Sequence, residues 1–541
     1  MSGWLQHLII VPVLLPLAVG AALVPVDENR RKIKVGFGVA STLGLVAVAL
    51  ALLWQADQVE GAAPSATYLL GNWPLPFGIA LAVDRLSALM LLLTAVLACA
   101  TLIFAAARWD RVGVHFHALF QFMLVGINGT FLTNDLFNLF VFFEVMLAAS
   151  YGLLLHGSGK QRVRAGLHYV AVNLAASSVF LIGVALIYAA AGSLSMADIA
   201  LRIPAMAPAD THLLETGAAI LAIAFLVKSA IWPLNFWLPA SYAAATPPVA
   251  AMFAIMTKVG IYVLLRLWLL LFSDQAGDSA RFGGEVLLYS GLATLAVASL
   301  GMLAAQDFRR LAGFAVIASS GTVLAAIVVE GSGATAAALY YMLGSTLALA
   351  AFFLLTDLLE RIRDFGANLL AVTVEMFEAE GMVLPEEEEV GMVIPAALAF
   401  LGLSFVLCTL LITGMPPLSS FIAKFALMTT VLDQFGVRAA VPLSSWLLIV
   451  LLIGSGLAGT ITLLRLGIRL FWVPDSHRPP RLRLIEAAPI AGLLLCAIVV
   501  TVQAGPVMGY LQRTAEALYD APAFATGVLS AEPVMNGEAR Q

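Results

Sequence analysis

Apolar residues recur along the chain in runs of about 20, and short polar or proline-rich stretches separate one run from the next. As an α-helix, such a run spans the ~30 Å hydrocarbon core of a lipid bilayer. The strict alternation of apolar and polar residues that a membrane β-barrel requires is absent from the sequence, which excludes a porin-like barrel. The pattern therefore predicts an all-α polytopic membrane protein with about 14 transmembrane helices.

The predicted spans are placed by hydropathy and by the residues that break helices. They cover residues 4–26, 35–55, 79–107, 114–132, 135–155, 166–191, 213–233, 247–272, 285–305, 311–330, 335–357, 392–432, 443–472 and 484–510. The chain after Tyr510 lacks a hydrophobic pattern, and we expect disorder at its end. The stretch 364–391, which includes EMFEAEGMVLPEEEE, is predicted to be an acidic cytoplasmic insertion, either a solvated linker or a surface that attracts cations.

Prolines interrupt two of the predicted spans. Residues 392–432 would be ~60 Å long as one straight helix, about twice the bilayer core, and Pro416 and Pro417 lie in the middle of this stretch. Residues 221–248 contain a similar series of prolines that begins at Pro233. Broken helices at corresponding places in two halves of a chain are typical of transporters, in which irregular backbone is tolerated beside a polar cavity.

Composition and charge agree with a membrane protein and indicate its orientation. Of 541 residues 61% are hydrophobic and 11% charged, with a mean hydropathy of +0.98, whereas a soluble chain of this length would expose far more Lys and Glu. Basic residues follow the first apolar run at 30–34 and none precedes it, which is the reverse of a cleavable signal peptide. Every second loop is basic, except the connector between spans 7 and 8. We therefore expect the N-terminus outside and the basic loops in the cytoplasm.

The residues that usually carry enzymatic or metal chemistry show no pattern of that kind. The three cysteines lie inside apolar helices, and the seven histidines have no metal-ligand spacing. No nucleotide-binding or nucleophile motif is present in the sequence. The sequence thus predicts no catalytic residue, no metal site and no cofactor.

Four ionisable residues lie deep in the predicted spans, where a charge is costly and therefore suggests a function. Glu144 lies near the middle of NLFVFFEVMLAASYGLLLHG, ~13 Å from the start of its helix. Lys258 is ~15 Å into span 8, while Lys228 and Lys424 lie close to the two proline breaks.

Each of these residues also has a structural interpretation. Glu144 can form a buried ion pair with a lysine, and Lys258 can extend to the interface if its span is shifted by one turn. His168 can serve either in helix packing or in a proton relay. Three arginines nearer the span ends are more typical of anchors; they are Arg266, Arg465 and Arg469.

Proton movement is the chemistry that suits buried lysines beside one acid. Burial in general lowers the pKa of a lysine, and a nearby carboxylate raises it again. Moving or neutralising that carboxylate would make the lysine release its proton. The hypothesis is a relay through water along Lys228, Lys258 and Lys424.

Three segments of the chain resemble a known family. DLFNLFVFFEVMLAASYGLLLHG, FLVKSAIWPLNFWLPASYAAATPPVAAMFAIMTKVGIYVLLR and TGMPPLSSFIAKF are similar to the antiporter-like subunits shared by Mrp-type cation/proton antiporters and respiratory complex I, over roughly residues 80–470. FFEVMLAASYGLL resembles the D-type subunits of the Mrp (Pha/Mnh) multisubunit antiporters in particular. Lysine at position 424 argues against the complex I subunit that has a glutamate there, although not against its sister subunits.

The resemblance implies a fold and an organisation. Three N-terminal helices (1–110) precede two inverted five-helix repeats, spans 4–8 (111–272) and spans 9–13 (285–472), whose helices 7 and 12 are broken. Helix 14 (484–510) and a C-terminal tail (511–541) follow. The resemblance also implies a hetero-oligomer with other Mrp subunits in the bacterial inner membrane, which transports H⁺ and Na⁺ or K⁺ and binds no nucleic acid.

The resemblance assigns Glu144, Lys228, Lys258 and Lys424 to the family's relay residues. It also reveals a departure, because many relatives carry a His or Lys within span 11, and ALYYMLGSTLALAAFFLL has neither. The path between the last two lysines is then expected to depend on hydroxyl groups and water. The candidates for this role are Tyr340, Tyr341 and Ser345, with Thr346 next to them, while His168 is a separate possible relay residue near the start of span 6.

Three functions compete at this point. The first is a proton-translocating subunit of a cation/proton antiporter, and the second is a proton-pumping membrane subunit of an NADH–quinone oxidoreductase or a membrane hydrogenase. The third is a scaffold without a proton path, which the buried charges disfavour. The first two differ in partners, since only a redox complex would contain flavin or iron–sulfur subunits.

Overall fold

The structure is a computed structural model that describes residues 7–59, 61–380, 396–434, 441–471 and 482–533, without the side chains of 362–380. Helices form nearly all of its regular structure. They are α1 (Val11–Leu23), α2 (Arg31–Asp57), α3 (Arg85–Arg108), α4 (Phe116–Leu132), α5 (Leu136–Leu155), α6 (Lys160–Ala191), α7 (Met196–Arg202), α8 (Pro208–Lys228), α9 (Leu238–Ala244), α10 (Pro247–Leu271), α11 (Gly284–Ala304), α12 (Phe308–Ile327), α13 (Ser332–Glu380), α14 (Ala396–Thr413), α15 (Ser419–Asp433), α16 (Leu443–Phe471), α17 (Leu484–Val502), α18 (Ala504–Tyr519) and α19 (Ala521–Leu529).

Within the described ranges, twelve helices are long and apolar enough to cross a membrane, and α1 and α4 are shorter apolar helices. The prediction of an all-α polytopic membrane protein is therefore confirmed. The most apolar segments of α10 and α13 are entirely buried, whereas those of α2, α8 and α17 are mostly at the surface of the bundle. The centre of the bundle thus consists of α10 and α13, and Lys258 lies on the first of these.

Both predicted helix breaks are present. The helix α8 ends at Lys228, and the short α9 begins only at Leu238, after Pro233. In the second case α14 ends at Thr413 and α15 begins at Ser419, with the two adjacent prolines between them. Because proline lacks an N–H group and its ring clashes with the preceding turn, each break occurs where the sequence requires it. The inverted repeats and the domain division remain predictions.

A pair of short strands precedes α3, where a span from residue 79 was expected. The strands β1 (Ala66–Leu69) and β2 (Ala80–Val83) are antiparallel, with Ala66 opposite Val83. The helix begins at Arg85 because Asp84 caps it, accepting from the Ser87 backbone N–H while the Ser87 side chain accepts from the Asp84 backbone.

The C-terminal part of the chain differs from the sequence analysis. The last predicted span, 484–510, ends at Val502, and two further helices, α18 and α19, follow. Leu511, Ala515 and Leu518 form a narrow buried stripe on α18, which packs against α13. The statement that this region lacks a hydrophobic pattern was therefore wrong, since a stripe at i, i+4 and i+7 is present. The final residues, 534–541, lie outside the described part of the chain.

The helix α13 is longer than span 11, which was predicted to end at 357. It continues to Glu380 and so includes the first part of the predicted acidic insertion, 364–391. The sequence 358–380 contains no proline, so no strong helix breaker ends the helix earlier. The rest of that insertion lies outside the described residues.

Candidate functional site

Lys228 is the last residue of α8 and is buried in an aromatic environment. Its Nζ donates a hydrogen bond of 3.4 Å to the hydroxyl of Tyr169 on α6. The rings of Phe143 and Tyr169 have their centroids 5.7 Å from Nζ, within the range of a cation–π interaction. The hydroxyl of Tyr169 is also hydrogen-bonded to Ser150 Oγ, at 2.9 Å. Lys228 is thus joined to α5 through Tyr169 and Ser150.

The break after Lys228 is stabilised by an aromatic side chain. The indole N–H of Trp237 donates a hydrogen bond of 3.1 Å to the carbonyl of Val227 in the last turn of α8, which also accepts from the backbone N–H of Ala230 at 3.0 Å. On the other side of the break, the backbone N–H of Trp232 donates to Thr294 on α11, at 2.8 Å. The C-terminal end of a helix carries partial negative charge, so the ammonium of Lys228 lies where a cation is favoured.

Glu144 is half-buried on α5, and its carboxylate does not contact Lys228. The hydroxyl of Ser177 on α6 donates to Glu144 Oε1. In the described part of the chain, no ion pair within 4.0 Å includes Glu144 or Lys228. The Glu–Lys pair of the sequence analysis is therefore indirect here: α6 contacts the acid through Ser177 and the lysine through Tyr169, eight residues apart on the same helix.

The start of α5 determines the depth of Glu144. The side chain of Asp135 accepts from the N–H of Asn138 and caps the helix. The preceding residue, Asn134, pairs through its backbone N–H with the carbonyl of Ala80.

Lys258 is fully buried at the centre of the bundle and is surrounded by hydroxyl groups. Its Nζ donates to Ser319 Oγ at 2.8 Å and to Ser320 Oγ at 3.3 Å, both on α12. Ser319 Oγ in turn is 2.9 Å from Ser345 Oγ on α13. Lys258 therefore does not extend to the interface, and its hydrogen bonds lead through Ser319 to α13.

Lys424 is buried on α15 and interacts with backbone carbonyls at the second break. Its Nζ donates to the Thr413 carbonyl at 2.9 Å and to the Leu452 carbonyl at 3.4 Å. Gly414 between the two half-helices has φ +74°, and a Cβ there would lie 2.8 Å from Cδ of Lys424. Glycine is needed at 414 both for this backbone conformation and for the space that Lys424 occupies.

The four further relay candidates lie in different places. Ser345 belongs to the Lys258 hydrogen-bond chain, and the hydroxyl of Tyr341 interacts with Ser319. Tyr340 instead donates to the carbonyl of Val500 at 2.8 Å, toward α17. His168 is exposed, lies against the ring of Phe236, and lines a cavity of about 880 Å³ together with side chains of the basic loops. The structure thus brings Ser345 and Tyr341 to the buried lysines and not His168 or Tyr340.

The three arginines near span ends were expected to act as anchors. Arg266 forms a bidentate pair with Asp84, at 2.7 and 2.8 Å, and Arg465 donates to the Ala305 carbonyl at 2.7 Å. These contacts are compatible with anchoring. Among the described residues, no contact of Arg469 distinguishes an anchor from a functional residue.

The hydroxyl partners of the lysines were not predicted from the sequence. They are Tyr169, Ser319 and Ser320. The one available signal was the pair of serines in GFAVIASSGTV, in the middle of an otherwise apolar span.

Comparison with known proteins gives the family. The family model described as "NADH:quinone oxidoreductase/Mrp antiporter, TM" matches residues 133–449, more than half of the chain. The chain is 54% identical over 538 residues to a protein of Rhizobium meliloti that is named as the probable D-type subunit of a K(+)/H(+) antiporter, covering 98% of this chain and 99% of that one. The chain belongs to this family. Within it, the chain is grouped with the D-type antiporter subunits.

Two further comparisons agree with this assignment. A protein of Alkalihalophilus pseudofirmus, named as the D-type subunit of a Na(+)/H(+) antiporter, is 31% identical over 535 residues, covering 97% of this chain and all of that one. Among solved structures, a chain of the Mrp complex from a Dietzia species superposes with a TM-score of 0.81 at 24% identity, covering 98% of this chain and 100% of that chain. The last similarity shows the fold alone.

Proposed function

We propose that the chain is the proton-translocating membrane subunit of a multisubunit cation/proton antiporter. It works in a hetero-oligomer with the other Mrp subunits, in a bacterial inner membrane with its N-terminus outside. Glu144, Lys228, Lys258 and Lys424 are the ionisable groups that handle the proton. The subunit itself is a transporter component and not an enzyme, and it needs no cofactor or metal.

The proposal rests on the hydrogen-bond partners of the three buried lysines. Lys228, Lys258 and Lys424 are all buried, and their hydrogen-bond acceptors are hydroxyl or carbonyl oxygens. Among the described residues, no carboxylate lies within 4.0 Å of any of the three. An ammonium group at membrane depth without a counter-ion is costly, and a lysine, unlike an arginine, can relieve this cost by releasing its proton.

Glu144 is suited to control Lys228 through α6. It is held by Ser177 on the same helix whose Tyr169 accepts from Lys228. A small rotation or shift of α6 would change both interactions together. Glu144 is also half-buried in the isolated chain, so a neighbouring subunit or lipid can cover it and alter its environment.

The transported cation is proposed from the relatives' names. The 54% identical relative is named for K⁺ and the 31% identical relative for Na⁺. We therefore propose exchange of H⁺ for K⁺ or Na⁺, with K⁺ as the cation to test first.

The test is antiport by the whole complex in everted membrane vesicles of a host without its own antiporters. A pH-sensitive dye should report proton movement when K⁺ or Na⁺ is added, and Lys258→Ala should abolish it while the other subunits still co-purify. Normal antiport by Lys258→Ala would contradict the proposal.

The second candidate is a proton-pumping subunit of a redox complex, which the shared family description favours. Co-purification of the other subunits distinguishes the two candidate functions. Flavin or iron–sulfur proteins in the isolated complex would overturn the antiporter proposal.

A further inference from the structure

The path from Lys258 to Lys424 crosses α13 at a point where the chain has no ionisable side chain. The segment ALYYMLGSTLALAAFFLL of α13 contains no charged residue and no histidine. Ser345 and Gly344 lie at the crossing. A proton that passes α13 at this point must therefore travel on hydroxyl groups and water.

On the Lys258 side, the hydrogen bonds form a continuous chain. Nζ of Lys258 donates to Ser319 Oγ at 2.8 Å, and Ser319 Oγ is 2.9 Å from Ser345 Oγ. Ser319 and Ser345 are 1% and 3% exposed. This chain reaches α13 at the residue next to Gly344.

On the Lys424 side, two serines at the start of α15 face the same point. Ser419 and Ser420 are fully buried, and neither hydroxyl has a hydrogen-bond partner among the described residues. A Cβ at residue 344 would lie 2.7 Å from Ser419 Oγ and 3.5 Å from Ser420 Oγ. Two unpaired hydroxyl groups therefore lie against Gly344, next to the residue that ends the Lys258 chain of hydrogen bonds.

Buried hydroxyl groups in folded proteins nearly always have a hydrogen-bond partner, and an ordered water molecule is one such partner. The start of α15 is also fixed in place, because the backbone N–H of Ser419 donates to Thr501 Oγ1 at 2.9 Å. Lys424 lies one turn after Ser420, and helical side chains point back toward the helix N-terminus. Water on these two serines would thus connect to Lys424.

We propose that Ser319, Ser345, Ser419 and Ser420, with water bound at Gly344, form a hydroxyl bridge that carries protons between Lys258 and Lys424. This bridge adds a proton path to the proposed function and rests on that function. In one transfer, the Lys258 ammonium gives a proton to the neighbouring oxygen, each oxygen passes its own proton onward, and the neutral amine of Lys424 becomes an ammonium. One N–H bond is broken and one formed, and each hydroxyl keeps one proton.

Gly344 lets the start of α15 approach α13 closely at the bridge. With a side chain at 344, Ser419 Oγ would have to move. Ser345 and Ser420 carry the proton, whereas Gly344 only allows the two helices to approach each other.

The experiment compares three substitutions at Ser420 in the whole complex. Ser420→Ala removes the oxygen, Ser420→Thr keeps it, and Ser420→Val has the shape of Thr without the hydroxyl. We expect antiport to fall by about tenfold or more in Ala and Val and to be retained in Thr, since proton-transfer groups contribute such factors. Gly344→Ala should also lose antiport. Assembly is measured in each case by co-purification of the other subunits.

Two controls match these changes. Among the described residues, the hydroxyl that Ser299→Ala removes bonds only to the Leu295 carbonyl of its own helix, and the methyl group that Gly454→Ala adds has no neighbour within 4 Å. Both should transport normally. Full antiport in Ser420→Ala would overturn the bridge, as would an equal loss in Thr and Val with normal assembly.

Different experimental results would contradict the hydroxyl bridge and the proposed function. If Lys258→Ala and Lys424→Ala keep antiport, the proposed function fails and the bridge with it. If both lysine variants lose antiport while Ser420→Ala and Gly344→Ala keep it, the relay stands and only the hydroxyl bridge is wrong.

Discussion

The ammonium of Lys424 donates a hydrogen bond of 2.9 Å to the carbonyl of Thr413, the last residue of the half-helix α14. A lysine from the second half of the broken helix thus caps the first half, where partial negative charge favours a cation. At the first break the arrangement differs, because Trp237 caps the helix and Lys228 belongs to the half that ends there. The two breaks therefore hold their lysines in different ways. Lys424 is held by two backbone carbonyls, those of Thr413 and Leu452, whereas Lys228 is held by a tyrosine hydroxyl.

Gly414→Ala tests this cap. Alanine at φ +74° is strained by roughly 1–2 kcal/mol, and its methyl group would displace the Lys424 side chain. We expect a lower melting temperature of the purified complex and reduced antiport. Gly402→Ala, on the half-helix α14 that ends before Gly414, is the control, because no described atom lies within 4 Å of a Cβ there. Equal behaviour of the two variants would mean that the conformation of residue 414 does not matter.

Glu144→Gln separates the charge of Glu144 from its hydrogen bond. Glutamine still accepts from Ser177 but carries no charge. An interaction of a charged group is worth roughly 1.5–3 kcal/mol, so we expect antiport to fall by about 10- to 100-fold while the complex assembles. The measurement is dye-reported proton movement in everted vesicles.

Two serines on α6 complete that test. Ser177→Ala removes the donor to Glu144 and should weaken antiport. Ser178→Ala is the control, because in the described part of the chain its hydroxyl bonds only to the Leu174 carbonyl. Wild-type antiport in Glu144→Gln would exclude a role for the charge, whatever the serine variants do.

Tyr169→Phe tests the contact that holds Lys228. The substitution keeps the ring that stacks on Phe253 and removes the hydroxyl that Lys228 and Ser150 share. We expect a loss of antiport of about tenfold, since a hydrogen bond to a charged group is worth roughly 1.5–3 kcal/mol. Tyr188→Phe, an exposed tyrosine on the same helix, should have no effect.

Lys228→Arg extends this test to the proton itself. Arginine keeps the positive charge but does not deprotonate in proteins, so antiport should be lost in a complex that still assembles. Lys160→Arg at the exposed start of α6 is the matched control. Normal transport by Lys228→Arg would show that Lys228 contributes only its charge.

The sequence predicted the charged members of the site because charge contrasts with an apolar span. Glu144 and Lys258 are conspicuous among leucines and valines, and Pro233 predicts a helix break beside Lys228. Their partners could not be found in the same way. A serine such as Ser319 costs little stability within an apolar helix, because its hydroxyl can bond to the carbonyl of the preceding turn. Its presence in the sequence therefore does not indicate a functional site.

Tertiary contacts explain the other differences from the sequence. Whether Glu144 contacts Lys228 depends on how α5, α6 and α8 pack together. The local pattern of apolar and polar residues does not determine that packing. The helix α18 was missed because its buried stripe, Leu511 to Leu518, is too narrow to stand out from its polar neighbours. Its packing on α13 supplies the stability that its sequence alone does not.

A buried ionic network at the end of the bundle that carries the basic loops gives the last prediction. Arg361 on α13 lies 2.5 Å from Asp357 and 2.8 Å from Glu486, and both carboxylates are 2% exposed. Arg108 on α3 also pairs with Asp357, so the network joins α3, α13 and α17. Removing one partner of a buried pair leaves an uncompensated charge at a cost of roughly 3–5 kcal/mol. Arg361→Met should therefore lower the melting temperature of the complex strongly.

The same network has a matched exposed counterpart in the chain. Arg281 also contacts two carboxylates, Asp274 and Glu330, but all three side chains are at least 44% exposed. Exposed pairs contribute about 0–1 kcal/mol, so Arg281→Met should change the melting temperature little. The double variant Arg361→Met with Glu486→Met should regain part of the lost stability, because apolar side chains can replace a buried ion pair. If the double variant is no more stable than Arg361→Met alone, the two side chains are not coupled and the network does not join α13 to α17.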